Sequence, residues 1–381
     1  MTLPNFVIIG AGRSGTTSLY HYLAQHRDVF MSPVKETRFF AWQAEWAGKT
    51  DVDERVLRRR YPVRCLENYE ALFTAAQGRR AIGEATPRYL FAPGVPEVMA
   101  AVVPDARLIA ILRDPAVRAF SSWMGTVLDG RERRSFDQAV EDEVPLIDKA
   151  VAPDETTYLR PGLYHRHLMR FLARFPRERL LVVLYDDFAL ATGATVRTVL
   201  RFLEVDERVP IDTAIRYNPT GVPRNPVIER LTAKTPLTLA LKRHLPPALR
   251  DPLYRLAMQL RGANRAHPSL PPPLHRRLLN IFREDTLALA QHLERDLSAW
   301  LEPKAPWQQA PPLAQVELHA GRFAPRPRTG RLEPKRTSCG GGATGRGARA
   351  RRGGVGWRSR RWSPSRNPGS AWRGAASGGR G

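Results

Sequence analysis

The chain has 381 residues, 43% of them hydrophobic, which is enough for a large core and allows one to three domains. The formal net charge of +23 is concentrated at one end: residues 304–381 hold 17 Lys and Arg against two Glu, a charge of +15, leaving +8 on residues 1–303. Cys65 and Cys339 are too far apart to read as a disulfide framework or a zinc site, and no run of about 18 apolar residues could span a bilayer.

The first strand is Phe6-Val-Ile-Ile9, four apolar residues that glycines then turn sharply. It begins too close to Met1 to leave room for a signal peptide, so the expectation is a soluble, cytoplasmic protein in a reducing compartment. Leu19, Tyr20 and Leu23 recur at helical spacing from Thr16 onward. The amides of Gly15, Thr16 and Thr17 therefore open a helix, where unpaired N–H groups and the macrodipole attract an anion. Against the triphosphate loop G-x-x-x-x-G-K-[ST], Gly10, Gly15 and Thr17 are in place, but Thr16 stands where the lysine belongs. The loop cation is Arg13, so a magnesium triphosphate is poorly served.

Val29-Phe-Met31 is a short apolar run, followed by Ser32-Pro-Val-Lys35-Glu36-Thr-Arg-Phe39-Phe40. A charged pair on a loop is usually just solvated. A carboxylate set beside aromatic rings, however, has its pKa raised, while a neighbouring cation keeps it ionised. Residues 42–64 read as an excursion from the sheet and Tyr69–Ala76 as a short helix. Ala81–Leu90 reads as a strand running into a turn at Pro87.

Arg107–Leu112 is a near-continuous apolar strand of the kind covered on both faces. Pro115 then suits the first turn of a helix that runs to about Leu128. Arg113 at the strand end and Ser121 two helical turns later can converge on one anion, one through a forked cation and the other by a hydroxyl. Residues 131–151 read as an exposed charged helix or loop. Tyr164, Leu168, Phe171, Leu172 and Phe175 line one helix face; His165 and His167 on the same helix are read first as packed or solvated side chains and only in reserve as bases. Leu180–Tyr185 is another buried strand, and a helix follows from about Gly193 to Leu203.

Strands alternating with helices predict an α/β fold: a P-loop-type parallel β-sheet flanked by helices on both faces, with ligands beyond the C-terminal strand ends. The expected layout is a single domain over residues 1–303. Its α/β core spans 5–205, and a closing loop and C-terminal helical region span 206–303. Prolines break the basic stretch 227–267, whose leucines pack on their own domain or, as the lesser reading, touch a membrane or cover a lipid-like acceptor. The last helix is predicted over Pro273–Leu301. Residues 304–381 are Pro-, Gly- and Arg-rich and read as a disordered tail. As it contains no repeat, an extension without a selected role is preferred over a nucleic-acid-binding tail.

Arg13-Ser14-Gly15-Thr16-Thr17-Ser18-Leu19 resembles the 5′-phosphosulfate loop K-[TS]-G-T-T-x-L of the PAPS-dependent sulfotransferases, bacterial and heparan-sulfate-type members included, with arginine for the usual lysine. Lys35, Glu36, Phe39 and Phe40 resemble the family's K-E-x-x-F-F segment, Glu84-Ala-Thr-Pro87-Arg88-Tyr89 its E-[KA]-[ST]-P-x-Y segment, and Arg113, Arg118 and Ser121 its R-D-P-x-x-R-x-x-S motif. The resemblance covers roughly residues 6–300. It implies 3′-phosphoadenosine 5′-phosphosulfate (PAPS) as co-substrate, no metal, and an acceptor hydroxyl (less favoured, an amine) on a glycan, lipid or small metabolite.

On this resemblance Arg13, Ser14, Gly15, Thr16, Thr17 and Ser18 hold the 5′-phosphosulfate, and Arg113 and Ser121 the 3′-phosphate. Arg224 in the late loop Tyr217–Arg224 is a second 3′-phosphate contact. Glu36 is the base, Arg13 also stabilises the leaving group, and Lys35, Glu84 and Arg88 face the acceptor. Glu84 is either a second acidic group in the site or an orienter of Arg13. Ala85 replaces a lysine used by some heparan sulfotransferases, which weakens the case for a polysulfated acceptor. Two alternatives stand beside this reading: a P-loop kinase with Asp114 as metal-bound acid, and nucleic-acid binding through the tail.

Overall fold

A computed structural model describes residues 2–46, 57, 60–149, 154–215, 217, 222–223, 225, 260, 264–266 and 270–302. Five parallel strands form one sheet in the order β2-β3-β1-β4-β5. They are β1 (Phe6–Gly10), β2 (Val29–Met31), β3 (Ala81–Ala85), β4 (Arg107–Leu112) and β5 (Leu180–Leu184). Every residue of β1 is buried, and β4 is buried beyond Arg107, because helices cover both faces. On one face Val7, Ile9, Leu108 and Leu112 meet Phe39, Phe40, Met99, Leu168 and Phe171. On the other, Phe6, Ile8, Ile109 and Ile111 meet Leu19, Tyr22, Leu23, Val196 and Leu200. This is the α/β arrangement expected from the alternation.

The helices in chain order are α1 (Thr16–Leu23), α2 (Phe39–Glu45), α3 (Leu66–Ala71), α4 (Val95–Val102), α5 (Pro115–Leu128), α6 (Phe136–Glu143), α7 (Tyr164–Leu172), α8 (Tyr185–Leu190), α9 (Thr192–Phe202) and α10 (Pro272–Leu293). In the strand order, β1 connects to β2 on one side while β3 crosses to β4 on the other. The crevice for a ligand therefore lies beyond the C-terminal ends of β1, β3 and β4.

Several boundaries differ from the sequence reading. The helix expected over 69–76 is α3 at 66–71 followed by a separate 3-10 turn at Thr74–Ala76. The last helix stops at Leu293, where Glu294 adopts a left-handed conformation, and a 3-10 turn spans Ser298–Trp300. Helix α8 follows β5 directly, where only a link to α9 was expected.

The charged region after α5 is not simply exposed. A capping box at Ser135 and Gln138 starts α6, whose Phe136, Ala139 and Val140 pack with Phe120, Trp123 and Phe282. Its end carries Glu143, whose buried carboxylate accepts the amides of Tyr158, Leu159 and Arg160 at 2.6, 2.8 and 2.8 Å. Glu132 accepts the Arg134 guanidinium, the amides of Arg133 and Arg134 and the Tyr158 hydroxyl. The Arg134 bonds above all hold its carboxyl down to about 2. Charge density hid these clamps, because the partners of a buried carboxylate are set by the fold and not by neighbouring residues. Among the described residues no helix is long and apolar enough to cross a membrane. The predicted tail and most of 227–267 lie outside the described residues.

Candidate active site

The loop after β1 leads into α1 through Gly15, which takes φ 90°, ψ 5° as the helix N-cap. A Cβ there would be strained by the left-handed backbone and would sit 3.0 Å from the Phe188 ring of α8. Only glycine brings the chain past α8 with the first amides of α1 pointing beyond the sheet. Ser14 is fully buried, and its Oγ has no hydrogen-bond partner among the described residues. An orphan hydroxyl beside a helix N-terminus suits an anion held in the loop. Ser18 does not offer its hydroxyl there: Oγ accepts from the Tyr217 amide at 3.1 Å and lies 3.4 Å from the Tyr217 carbonyl. The Ser18 hydroxyl thus ties α1 to the returning chain. The same segment is fastened by the Tyr22 hydroxyl to the Ile215 carbonyl at 2.8 Å and by Tyr217 stacking on His21.

The structure brings together the two cationic motifs that the sequence keeps 100 residues apart. Arg113, at the end of β4, donates from Nη1 to the Arg13 carbonyl at 3.2 Å, and its guanidinium lies 4.7 Å from the Tyr185 ring centre. Arg13, at φ 69°, donates from Nε to the Ser121 carbonyl and Oγ at 3.1 and 3.2 Å. Its guanidinium lies against α5, where a Cβ on Gly125 would fall 2.8 Å from Nη2. Loop and α5 therefore form one continuous cationic rim. Arg13, expected at the 5′-phosphosulfate, also bonds Ser121 of the arginine motif.

Other members of the arginine motif serve the scaffold. Arg118 is buried and donates to the Tyr158 carbonyl, and burial lowers its pKa. Asp114 caps α5, accepting the amides of Ala116 and Val117 at 3.0 and 3.1 Å. Asp114 thereby serves the start of α5 through Oδ1, and Thr16 in place of the loop lysine is what counts against the kinase alternative. Tyr164 donates to the Arg113 carbonyl at 2.8 Å, steadying the strand end from below.

In the loop before α2, Glu36 accepts from Lys35 Nζ at 3.1 Å and pairs with Arg38 at 3.5 Å. Arg38 also bonds Glu155 at 3.2 Å, and Glu155 in turn pairs with Arg131. Burial would raise the Glu36 pKa, but the two cations together outweigh it and the net shift is downward. The predicted upward tuning by aromatic rings does not occur, because Phe39 and Phe40 turn into the core and pack on Tyr69 and Tyr89. At the start of α2 both rings follow the apolar face, while Glu36 remains in the loop before it.

Glu84 and Arg88 were expected to face the acceptor, and neither does. Glu84 is fully buried, accepting from Thr37, Tyr69, Thr86 and Tyr89 at 2.7, 2.7, 2.9 and 3.0 Å. These hydroxyls oppose the upward push of burial on its pKa without cancelling it. Arg13 meets Ser121 and is not oriented by Glu84. Arg88 is 8% exposed and pairs with Glu45 at 2.9 Å. His167, one of the reserve bases, is buried against the Arg160 carbonyl, and desolvation pushes its pKa down to about 3. His165 lies beside His292, away from the loop. Arg224 falls outside the described residues. Sequence reasoning missed Thr37, Arg38, Glu155 and Tyr185. Of these only Arg38, a cation two residues after Glu36 on the same loop, left a usable signal.

A model of the sulfotransferase family matches residues 4–208, the stretch that builds this rim. The chain belongs to that family. It is similar to the bifunctional heparan sulfate N-deacetylase/N-sulfotransferase of Drosophila melanogaster, 26% identical over 228 residues, which make up 57% of this chain and 21% of that protein. It is also similar to human carbohydrate sulfotransferase 15, 27% identical over 291 residues, covering 63% of this chain and 51% of that one. The chain thus spans about half or less of these curated relatives' length. Among solved structures it resembles a sulfotransferase from Alicyclobacillus acidocaldarius, with 29% identity, a TM-score of 0.59, and coverage of 79% of this chain and 100% of the other. The sulfotransferase resemblance carried by the sequence motifs is therefore upheld.

Proposed function

We propose that this sulfotransferase-family chain transfers a sulfuryl group from PAPS to an acceptor hydroxyl or amine. The observation that carries the reading is the meeting of Arg113 and Ser121 with Arg13, which joins the helix N-terminus of α1 to a second cationic site across the sheet rim. A doubly phosphorylated adenosine has one anion for each half. The residues present fit such a group: an orphan Ser14 hydroxyl, open amides at Gly15, Thr16 and Thr17, and an arginine fork held on Tyr185.

PAPS, when bound, supplies an activated sulfuryl group whose release leaves 3′,5′-ADP. The α1 amides with Ser14 would bind the 5′ end, and Arg113 with Ser121 the 3′-phosphate. Arg13 spans both and would offset negative charge as it grows on the leaving oxygen. Arg224 is the proposed second 3′-phosphate contact. Glu36 would take the acceptor's proton at a carboxylate oxygen, and Lys35 at Oε1 and Arg38 at Oε2 keep the carboxylate ionised beforehand.

A carbohydrate acceptor is favoured by the names of the relatives, with lipid and small-metabolite acceptors as the other classes. A cytoplasmic location, supported by the two distant cysteines, belongs to the same proposal. The test is thermal stabilisation by 3′,5′-ADP, 5′-AMP and magnesium ATP. The largest shift is expected with 3′,5′-ADP, and stabilisation by magnesium ATP alone would overturn the reading.

A further inference from the structure

Residues 32–38, which carry Glu36 from β2 to α2, contain two side-chain-bearing residues in the left-handed region: Glu36 at φ 64° and Arg38 at φ 55°. L residues avoid that region, so something must hold the loop there. Between them Thr37 is fully buried, pointing inward where its neighbours point out. Its Oγ1 donates to Glu84 Oε2 at 2.7 Å and lies 3.0 Å from the Tyr89 hydroxyl. Backbone ties flank the peg: the Ser32 amide donates to the Gly83 carbonyl at 2.8 Å, the Glu36 amide to the Ala85 carbonyl at 3.0 Å, and the Arg38 amide lies 3.5 Å from Thr86 Oγ1.

Glu84 itself stands opposite Val7 of β1 in the sheet register, on the strand that leads into the phosphate loop. Its two oxygens each accept two hydroxyls, drawn from α3 (Tyr69), the turn after β3 (Thr86 and Tyr89) and the Glu36 loop (Thr37). A carboxylate is costly to bury, and this one reaches neither solvent nor an acceptor. What it does is fix four elements at one point, with the Glu36 loop among them.

We infer that Glu84 is a positioning residue for Glu36: its carboxylate seats Thr37 as a peg, which holds the left-handed turns that present Glu36 with Lys35 and Arg38. The inference rests on the reading of Glu36 as the base. A glutamine at 84 keeps the shape but is neutral and exchanges two acceptor positions for donors, so it cannot accept all four hydroxyls and the seat of the peg loses its charge-assisted bonds.

The test is hydrogen exchange of the full chain for wild type, Thr37→Val, Thr37→Ser and Glu84→Gln, with 3′,5′-ADP affinity measured on each. Loss of the peg bond should speed exchange across residues 35–40 by about tenfold in Thr37→Val and Glu84→Gln. Thr37→Ser, which keeps the hydroxyl, should restore protection, and residues 6–19 and nucleotide affinity should not change. Unchanged exchange at 35–40 in both variants, equal acceleration throughout the sheet, or a serine variant as loose as the valine variant would each overturn the positioning role. If Glu84→Gln fails to fold, the Thr37 pair decides alone. Failure of every protein, wild type included, to bind 3′,5′-ADP would count against sulfuryl transfer, whereas an unresponsive loop counts against Glu84 only.

Discussion

Replacing Arg113 by alanine removes a side chain that follows β4, bonds the loop and lies over the Tyr185 ring. One Nη1 bond goes to the Arg13 carbonyl, and among the described residues the rest of the fork carries no other hydrogen bond. Stacking on Tyr185 holds the guanidinium in place, so binding costs it little rotamer freedom. A hydrogen bond to a charged group contributes roughly 1.5–3 kcal/mol, so Arg113→Ala should weaken 3′,5′-ADP about 10- to 150-fold. The affinity of 5′-AMP, which lacks the 3′-phosphate, should fall only slightly, through loss of the Arg13 carbonyl tie. Arg113→Lys, which keeps the charge but not the fork, should lie between. Isothermal titration with both nucleotides on all three proteins gives the answer. An equal loss for 3′,5′-ADP and 5′-AMP would refute the assignment of Arg113 to the 3′-phosphate.

Three further perturbations follow from the same geometry. Gly15→Ala forces a side chain into φ 90° at 3.0 Å from Phe188, so it should cost about 1–2 kcal/mol in backbone strain, read as a lower Tm, and weaken nucleotide binding as α1 shifts. Binding as tight as wild type would show that the loop amides are not the anchor. Glu36→Gln should leave 3′,5′-ADP affinity unchanged and lower turnover at least about 100-fold once an acceptor is in hand. Because the Glu36 pKa is held below its ordinary value of 4.5, its own titration should not reduce activity between pH 5 and 7. A loss of activity as pH falls from 7 to 5 that vanishes in Glu36→Gln would contradict this. Glu132 drops from an ordinary 4.5 to about 2 on folding, so its ionised form stabilises the fold. That stability is fully present above pH 4.5 and lost as pH falls toward 2. The 4%-exposed carboxylate should contribute about 3 kcal/mol at neutral pH, so Glu132→Gln should show a denaturation deficit there that shrinks toward pH 2. A deficit independent of pH would exclude the ion-pair account.

Much of the site was legible because its chemistry depends on local sequence. A strand running into glycines and a helix builds the anion loop from consecutive residues, and Arg113 and Ser121 are placed by a strand end and two helical turns. The sheet was legible for the same reason, since buried parallel strands such as Arg107–Leu112 are continuous apolar runs. What could not be read depends on contacts across the chain. Glu84 meets Thr37, 47 residues away, and Arg88 meets Glu45, 43 residues away, so neither carries a local sign that it is already partnered. Phe39 and Phe40 looked like a hydrophobic wall for Glu36, but their direction is set by the start of α2, which the loop before it does not reveal. Arg13 kept its predicted place in the chain, while its side chain took a partner 108 residues on.

On the proposed function, one nucleotide bridges the N-terminus of α1 and the Arg113–Ser121 rim. A crystal structure of the chain with 3′,5′-ADP tests it most directly. The account predicts the 5′-phosphate on the amides of Gly15, Thr16 and Thr17 and the 3′-phosphate within hydrogen-bond reach of Arg113 and Ser121. A nucleotide that seats only one phosphate at this rim, or binds elsewhere on the fold, would contradict it.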